Sequence, residues 1–195
     1  MARPSIWVRF RASLGSGRDQ LSLAHDAWVD GDWVRAERWA SRAARSGWSD
    51  GHLLLANVYL ERNAPGDRKR FFDCSKAAAE GGNPAGMQTL AWCFDEGVGV
   101  ERDPESSLHW YRRAADHGRV DSQVSIARRL LDSARSLADV ETAQHYAQLA
   151  KNAGASEAGE LLARIVERMV QYEAGSSSTR EHSTYDPKSE CAERT

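Results

Sequence analysis

From Trp33 onward, apolar and small side chains return in two interleaved stripes of helical period rather than in strand-like alternation. Four glycines, Gly47, Gly82, Gly118 and Gly154, mark the repeat at spacings of 35, 36 and 36 residues. Four residues before each stands an alanine: Ala43, Ala78, Ala114 and Ala150. Eight before stands a bulky or soft residue: Trp39, Cys74, Trp110 and Tyr146. Eight after come Leu55, Leu90, Ile126 and Leu162; nine after, always alanine, come Ala56, Ala91, Ala127 and Ala163. Twelve after come Tyr59, Phe94, Leu130 and Val166. Offsets of four and eight share one face of a helix, and offsets of eight, nine and twelve make a second apolar stripe. A glycine between the stripes supplies the φ > 0 that ends a helix. Each unit therefore predicts helix, turn, helix, with the alanine nine after the glycine where two helix axes approach closely.

The segments between stripes carry helix-start signals. Residues 95–104 read DEGVGVERDP, where Gly97 and Gly99 break a helix, Asp103 is an N-cap and Pro104 fits the first helical position. Asp139 occupies the Asp103 position one repeat later, and Asp67 does so one repeat earlier, across a loop one residue shorter. Upstream, a further hairpin spans Asp19 to Val29 and Trp33 to Ser46 around Asp30, Gly31 and Asp32. Downstream, Ser156 is expected to cap a last helix carrying Leu161, Leu162, Ile165, Val166 and Met169. The expected fold is all-α, an alpha-alpha superhelix of four to five hairpins. Its parts are a basic arm over residues 1–16, the helical repeats over 17–172, and a tail over 173–195 too polar to pack and expected to be disordered.

Bulk properties narrow the function. With a formal net charge of −2 over 195 residues, the chain has no electrostatic reason to seek nucleic acid. Arginines outnumber lysines 22 to 4 but are interleaved with acids, which reads as codon bias rather than phosphate binding. No apolar run reaches the roughly 18 residues of a membrane span, and the N-terminus lacks the apolar core of a secretory signal. A cytoplasmic location is the resulting expectation. The cysteines, Cys74, Cys93 and Cys191, have neither disulfide-framework nor zinc-site spacing. No phosphate loop, H-E-x-x-H or Ser–His–Asp order appears, so neither a cofactor nor an enzyme is expected.

The segment from Ala85 to Gly118 carries the most detailed pattern. Leu90 and Ala91, Phe94, Gly97, Gly99 and Val100, Asp103, and then Trp110, Tyr111, Arg113, Ala114, Ala115 and Gly118 resemble the Sel-1-like repeat, a relative of the tetratricopeptide repeat. The departures are alanine for glycine at 91 and arginine for lysine at 113. The neighbouring copies lose the G-x-G-V loop, reading RNAPGD and SARSLAD, and the first hairpin lies nearer an ordinary tetratricopeptide unit. The resemblance implies an adaptor or scaffold that holds a protein or peptide, with an immunity protein or chaperone for a secreted bacterial effector as a narrower version. It also implies a hydrolase alternative, of the β-lactamase-like kind assigned to some cysteine-rich relatives; here Ala79 and Met87 stand where those carry paired cysteines.

In such solenoids the first helix of each hairpin lines the concave side. Opposite the core face of the third copy lie Ala85, Thr89, Trp92 and Glu96. The same positions elsewhere are Asp50, Leu54, Asn57 and Glu61, then Asp121, Ser125, Arg128 and Asp132, then Glu157, Leu161, Arg164 and Arg168. The partner-binding candidates are Asp50, Asn57, Glu61, Trp92, Glu96, Asp121, Arg128, Asp132 and Arg164. Trp92 is either an aromatic anchor for a partner or a residue packed on a neighbouring helix. Trp39 and Trp110 fall in the core column; Trp28 and Trp33 flank the first turn as an end cluster. Ile6, Trp7, Val8 and Phe10 either cover the solenoid's end or dock elsewhere. His109 and His145 share one repeat position, but Arg38 and Asp73 replace them in the other copies, which favours a solvated face over a metal site. Ser176, Ser177, Ser178 and Thr179 are candidate modification sites or linker.

Overall fold

A computed structural model describes residues 6–13 and 15–181, and among them ten α-helices and no strand. In chain order these are α1 (Ile6–Ser13), α2 (Gly17–Val29), α3 (Trp33–Arg45), α4 (Ser49–Arg62), α5 (Asp67–Glu80), α6 (Pro84–Glu96), α7 (Pro104–Asp116), α8 (Val120–Asp132), α9 (Leu137–Asn152) and α10 (Ala158–Glu181). The chain divides into two compact units, residues 1–123 and 124–195. In the first, each helix from α1 to α7 packs on the next, giving antiparallel hairpins. In the second, α9 and α10 form one hairpin.

The repeat columns become the core. All four marker glycines have φ between 81° and 87°, a region that strains any other residue. The alanine four before each is fully buried. Leu55, Leu90 and Ile126 are buried, as are Ala56, Ala91 and Ala127. In the first unit Phe71, Phe72, Met87, Leu90, Cys93 and Val98 form one cluster, with Ala56, Ala79 and Ala114 filling its corners. Phe71 is 1% exposed, a burial that contributes roughly 2–3 kcal/mol. Trp39 and Trp110 lie half-buried at the core's edge, each roofed by the arginine three residues on: Arg42 at 5.0 Å and Arg113 at 4.8 Å from the ring centres. Trp28 and Trp33 close a small cluster with Ala27, Ala36 and Val58.

A further column escaped the sequence reading. Four residues after each marker glycine stand Gly51, Gly86, Ser122 and Ala158, all buried. A Cβ on Gly51 would lie 2.5 Å from the Ala44 backbone nitrogen, and one on Gly86 would lie 2.6 Å from the Ala78 Cβ. The closest helix approach is therefore made here as well as at the alanine column.

Four local expectations are corrected. Asp139 is the third residue of α9, not its cap; Ser136 is the cap, and the two form a reciprocal capping box. Asp67 is the first residue of α5, behind a left-handed Gly66, and its carboxylate turns inward. The last helix begins at Ala158, one position later than a cap at Ser156 requires. Its buried face is Ala158, Leu161 and Ile165, while Ala163 is exposed and Val166 is 52% exposed. In the first unit the equivalent positions, such as Ala56 and Phe94, lie beneath the following helix; among the described residues none follows α10.

The helix α10 continues past Tyr172 to Glu181, and Tyr172 donates its hydroxyl to the Ala134 carbonyl at 2.9 Å. Helix α1 folds within the basic arm. Arg11 pairs with Asp19 at 3.0 Å, and Gln20 Nε2 donates to the Ala12 carbonyl at 2.9 Å. The side chains of Ile6, Trp7, Phe10 and Ser176–Thr179, and all of Cys191, lie outside the described residues.

Candidate functional site

Trp92 sits midway along the outer face of α6, 37% exposed. Its indole meets the buried Phe71 ring edge-on, with centres 5.8 Å apart and planes at 84°. One edge of the indole therefore packs on a neighbouring helix, and the rest faces solvent. On either side of the indole lies a hollow, of about 400 and 410 Å³. Leu60 (46% exposed), Phe71 and Trp92 form the wall that they share. The first hollow is completed by Tyr59, Asn63, Arg68 and Val98. The second is completed by Asn57, Ala85, Gln88, Thr89, Tyr111 and Arg119.

Sequence reasoning reached Trp92, Asn57, Ala85 and Thr89 of this lining. It missed Leu60, Arg68, Phe71 and Arg119, which arrive from neighbouring stripes and helices. Leu60 alone left a signal: an apolar residue three after Asn57, out of phase with the core stripe.

The other first-unit candidates surround the hollows without lining them. Asp50 accepts from Asn83 Nδ2 at 2.6 Å. Asp121 pairs with Arg119 at 3.4 Å, and Arg119 also donates through Nε and Nη2 to Gln88 Oε1 at 2.9 and 2.6 Å. Glu61 and Glu96 are exposed. In the second unit Arg128 pairs with Glu157 at 2.6 Å and Arg164 with Asp132 at 3.1 Å. Arg164 and Asp132 border a polar hollow of about 180 Å³ with Leu131, Glu167, Arg168 and Gln171. Leu161, projected onto this outer face by the repeat, is instead 5% exposed and in the core.

Tyr59 connects the first hollow to a charged network. Arg62 donates through Nε and Nη2 to both Asp67 oxygens at 2.8 Å and through Nη1 to Glu37 at 2.7 Å. Tyr59 donates its hydroxyl to the other Glu37 oxygen at 2.9 Å. The Asp67 carboxylate is fully buried and also accepts from the Ala64 N–H at 3.0 Å. Its bonds to Arg62 hold its pKa down at about 2 despite burial. Burial and the Glu37 carboxylate push the Tyr59 phenol up to about 12. The network fixes the link from α4 to α5, which carries Asn63 and leads into the first turn of α5 with Arg68.

The remaining reactive side chains are quiet. Burial pushes the Cys74 thiol up to about 11 and that of Cys93 to about 12, so both stay protonated at neutral pH. Ala79 and Met87 are buried in one cluster. His109 and His145 are exposed, each resting on the next residue's ring at 5.5 Å. Among the described residues no group of three His, Cys, Asp or Glu side chains is placed to hold a metal. No helix among them is long and apolar enough to cross a membrane.

Comparison with known proteins agrees with this architecture. The sequence profile of the Sel1 repeat matches residues 27–48 and 84–118, so the first hairpin carries the pattern too. A stretch of 80 residues is 35% identical to the Sel1-repeat-containing protein YjcO of Escherichia coli, covering 41% of this chain and 35% of that one. Another of 84 residues is 32% identical to protein NMB1327 of Neisseria meningitidis serogroup B, covering 43% and 18%. The chain thus spans about a third or less of these relatives' length. Among solved structures, a Sel1 repeat protein from Oxalobacter formigenes superposes with a TM-score of 0.66 at 20% identity over 80% of this chain and 64% of its own. The uropathogenic Escherichia coli protective antigen c5321, described as displaying an SLR fold, gives 0.61 at 18% identity over 92% and 43%. The columns of glycine and alanine, the stacked hairpins and these likenesses show that the chain carries Sel1 repeats, matched at residues 27–48 and 84–118, in a helical solenoid fold.

Proposed function

We propose that this protein is a binding module that captures a protein or peptide partner, with Trp92 as the anchor of its first unit. The observation that carries this reading is a tryptophan left 37% exposed between two hollows on an otherwise well-packed helix pair. Tryptophans in such positions dominate interface energetics. Asn57 in the lining and the candidates Asp50, Glu61, Glu96 and Asp121 outside it set polar groups around an apolar centre, the usual arrangement of an interface. In the second unit, Arg128, Asp132 and Arg164 supply a polar surface already engaged in ion pairs. A cytoplasmic scaffold is the setting we assign to it.

Trp92→Ala tests the reading. The substitution removes an edge-on aromatic contact and the buried part of the indole, and should cost about 2–4 kcal/mol of stability. Capture of partners from the native cell, compared by quantitative mass spectrometry between wild type and variant, should fall severalfold. If every specifically enriched protein is retained by Trp92→Ala, the hollows are not the site.

A further inference from the structure

The lining charges say more about the occupant. This step rests on the binding reading above. Among the described residues no carboxylate lines either hollow. The ionisable groups with full cationic charge in the lining are Arg68 and Arg119. Arg119 is already held by Gln88 and Asp121. Arg68, in the first turn of α5, makes no ion pair among the described residues. Two acids flank the lining without joining it. Glu96 stands one turn past Trp92 on α6, and Glu61 one turn past Asn57 on α4, and neither has an ion-pair partner among the described residues.

From this juxtaposition we propose that the groove takes a segment of ordered polarity: two apolar side chains astride the Trp92 indole, an acidic residue beside them on Arg68, and a basic residue farther out toward Glu61 and Glu96. Each hollow, at about 400 Å³, has room for a Leu- or Phe-sized side chain. An extended segment presents such a pair on one side at alternate residues. The inner carboxylate gives Arg68 the counter-ion that it lacks. The outer cation is placed by the unpaired rim acids.

The test uses two dye-labelled synthetic peptides of identical composition, each with Leu and Phe two residues apart. One has Glu inside and Lys outside; the other has them exchanged. Because net charge is the same, general attraction cancels. Fluorescence anisotropy with the full chain at low salt should show the Glu-inner peptide bound about fivefold to tenfold tighter, the size expected of partly exposed ion pairs acting together. The preference should shrink in high salt, and Arg68→Glu should reverse it. Equal affinities, or a preference that Arg68→Glu leaves untouched, overturn the ordered-polarity assignment while leaving Trp92-dependent capture standing. Failure of both peptides to bind saturably also overturns it. A concentration-dependent dimer that Trp92→Ala dissolves would make a second copy the occupant and overturn it too.

Discussion

The link from α4 to α5 and the link from α6 to α7 join equivalent helices one repeat apart, and they do so by opposite means. In the later link Gly97 and Gly99 take left-handed φ values of 69° and 72°, and Val98 between them is driven into the core at 5% exposure. In the earlier link Asn63 and Gly66 take the left-handed positions, at 47° and 85°, and no apolar wedge enters. The buried Asp67, clamped by Arg62 and the Ala64 N–H, does the wedge's work. The repeat thus demands a chain reversal of fixed size but leaves open whether hydrophobic burial or a buried ion pair secures it. The two solutions differ in sensitivity. Burial of valine is indifferent to pH, whereas a buried carboxylate must stay charged and paired.

Removing Asp67 should break the comparison most sharply. Asp67→Ala leaves Arg62 partly buried with only Glu37 for a counter-ion, a loss expected to cost about 3–5 kcal/mol. The Asp67 pKa lies at about 2 in the fold against an ordinary 3.8. The stabilisation is therefore complete above about pH 4 and is lost as pH falls toward 2. Urea unfolding should show this acid limb in the wild type and a shallower one in Asp67→Asn. Identical pH profiles for the two proteins would show that the pair contributes nothing to stability.

The apolar link should break next most readily, at Gly99. A Cβ there would lie 2.2 Å from the Arg68 carbonyl oxygen. Gly99→Ala combines that overlap with a left-handed φ and should cost about 3 kcal/mol. Gly82→Ala is the control: its φ is 82°, yet nothing lies within 4 Å of the added carbon. It should cost only about 1–2 kcal/mol, the conformational part alone. Equal losses in the two variants would remove close packing from the account of the Gly99 link and leave only its backbone angle.

The same contrast decides which columns are legible in the sequence. The glycine, alanine and apolar columns announce themselves because each copy meets the same neighbours, so the same residue type recurs. The Gly51, Gly86, Ser122 and Ala158 column hid because size alone is preserved there, and three residue types satisfy it. Asp67 reads as a cap in sequence because its partner Arg62 lies across the turn and is itself held by Glu37, 25 residues upstream of it, a contact that no local pattern encodes. The register of α10 was misread because periodicity presumes a following helix to cover Ala163 and Val166. The site was half legible: Trp92 and Asn57 lie on one repeat stripe, but Arg68 and Phe71 enter from α5 and Arg119 from just before α8, and only packing brings them to Trp92.

A third link, before α9, sharpens the contrast by securing its turn at the surface. Ser136 Oγ accepts from the Asp139 N–H at 3.3 Å, and Asp139 Oδ2 accepts from the Arg135 and Ser136 N–H groups, each at 3.0 Å. These bonds hold the Asp139 carboxyl below its ordinary range. Solvent reaches the whole arrangement, so water can replace what a substitution removes. Ser136→Ala should therefore cost only about 1 kcal/mol. The loss should appear as faster amide exchange in the first turn of α9, with little change in the second unit's overall unfolding. Acid should fray the same turn as Asp139 gains its proton, since the protonated group accepts backbone hydrogen bonds less well. A loss as large as that of Asp67→Ala would mean that burial does not set the ranking of the three links. Exchange rates unchanged at α9 would mean that the turn is held by the packing of Val140 and Ala143 alone, both of which are fully buried.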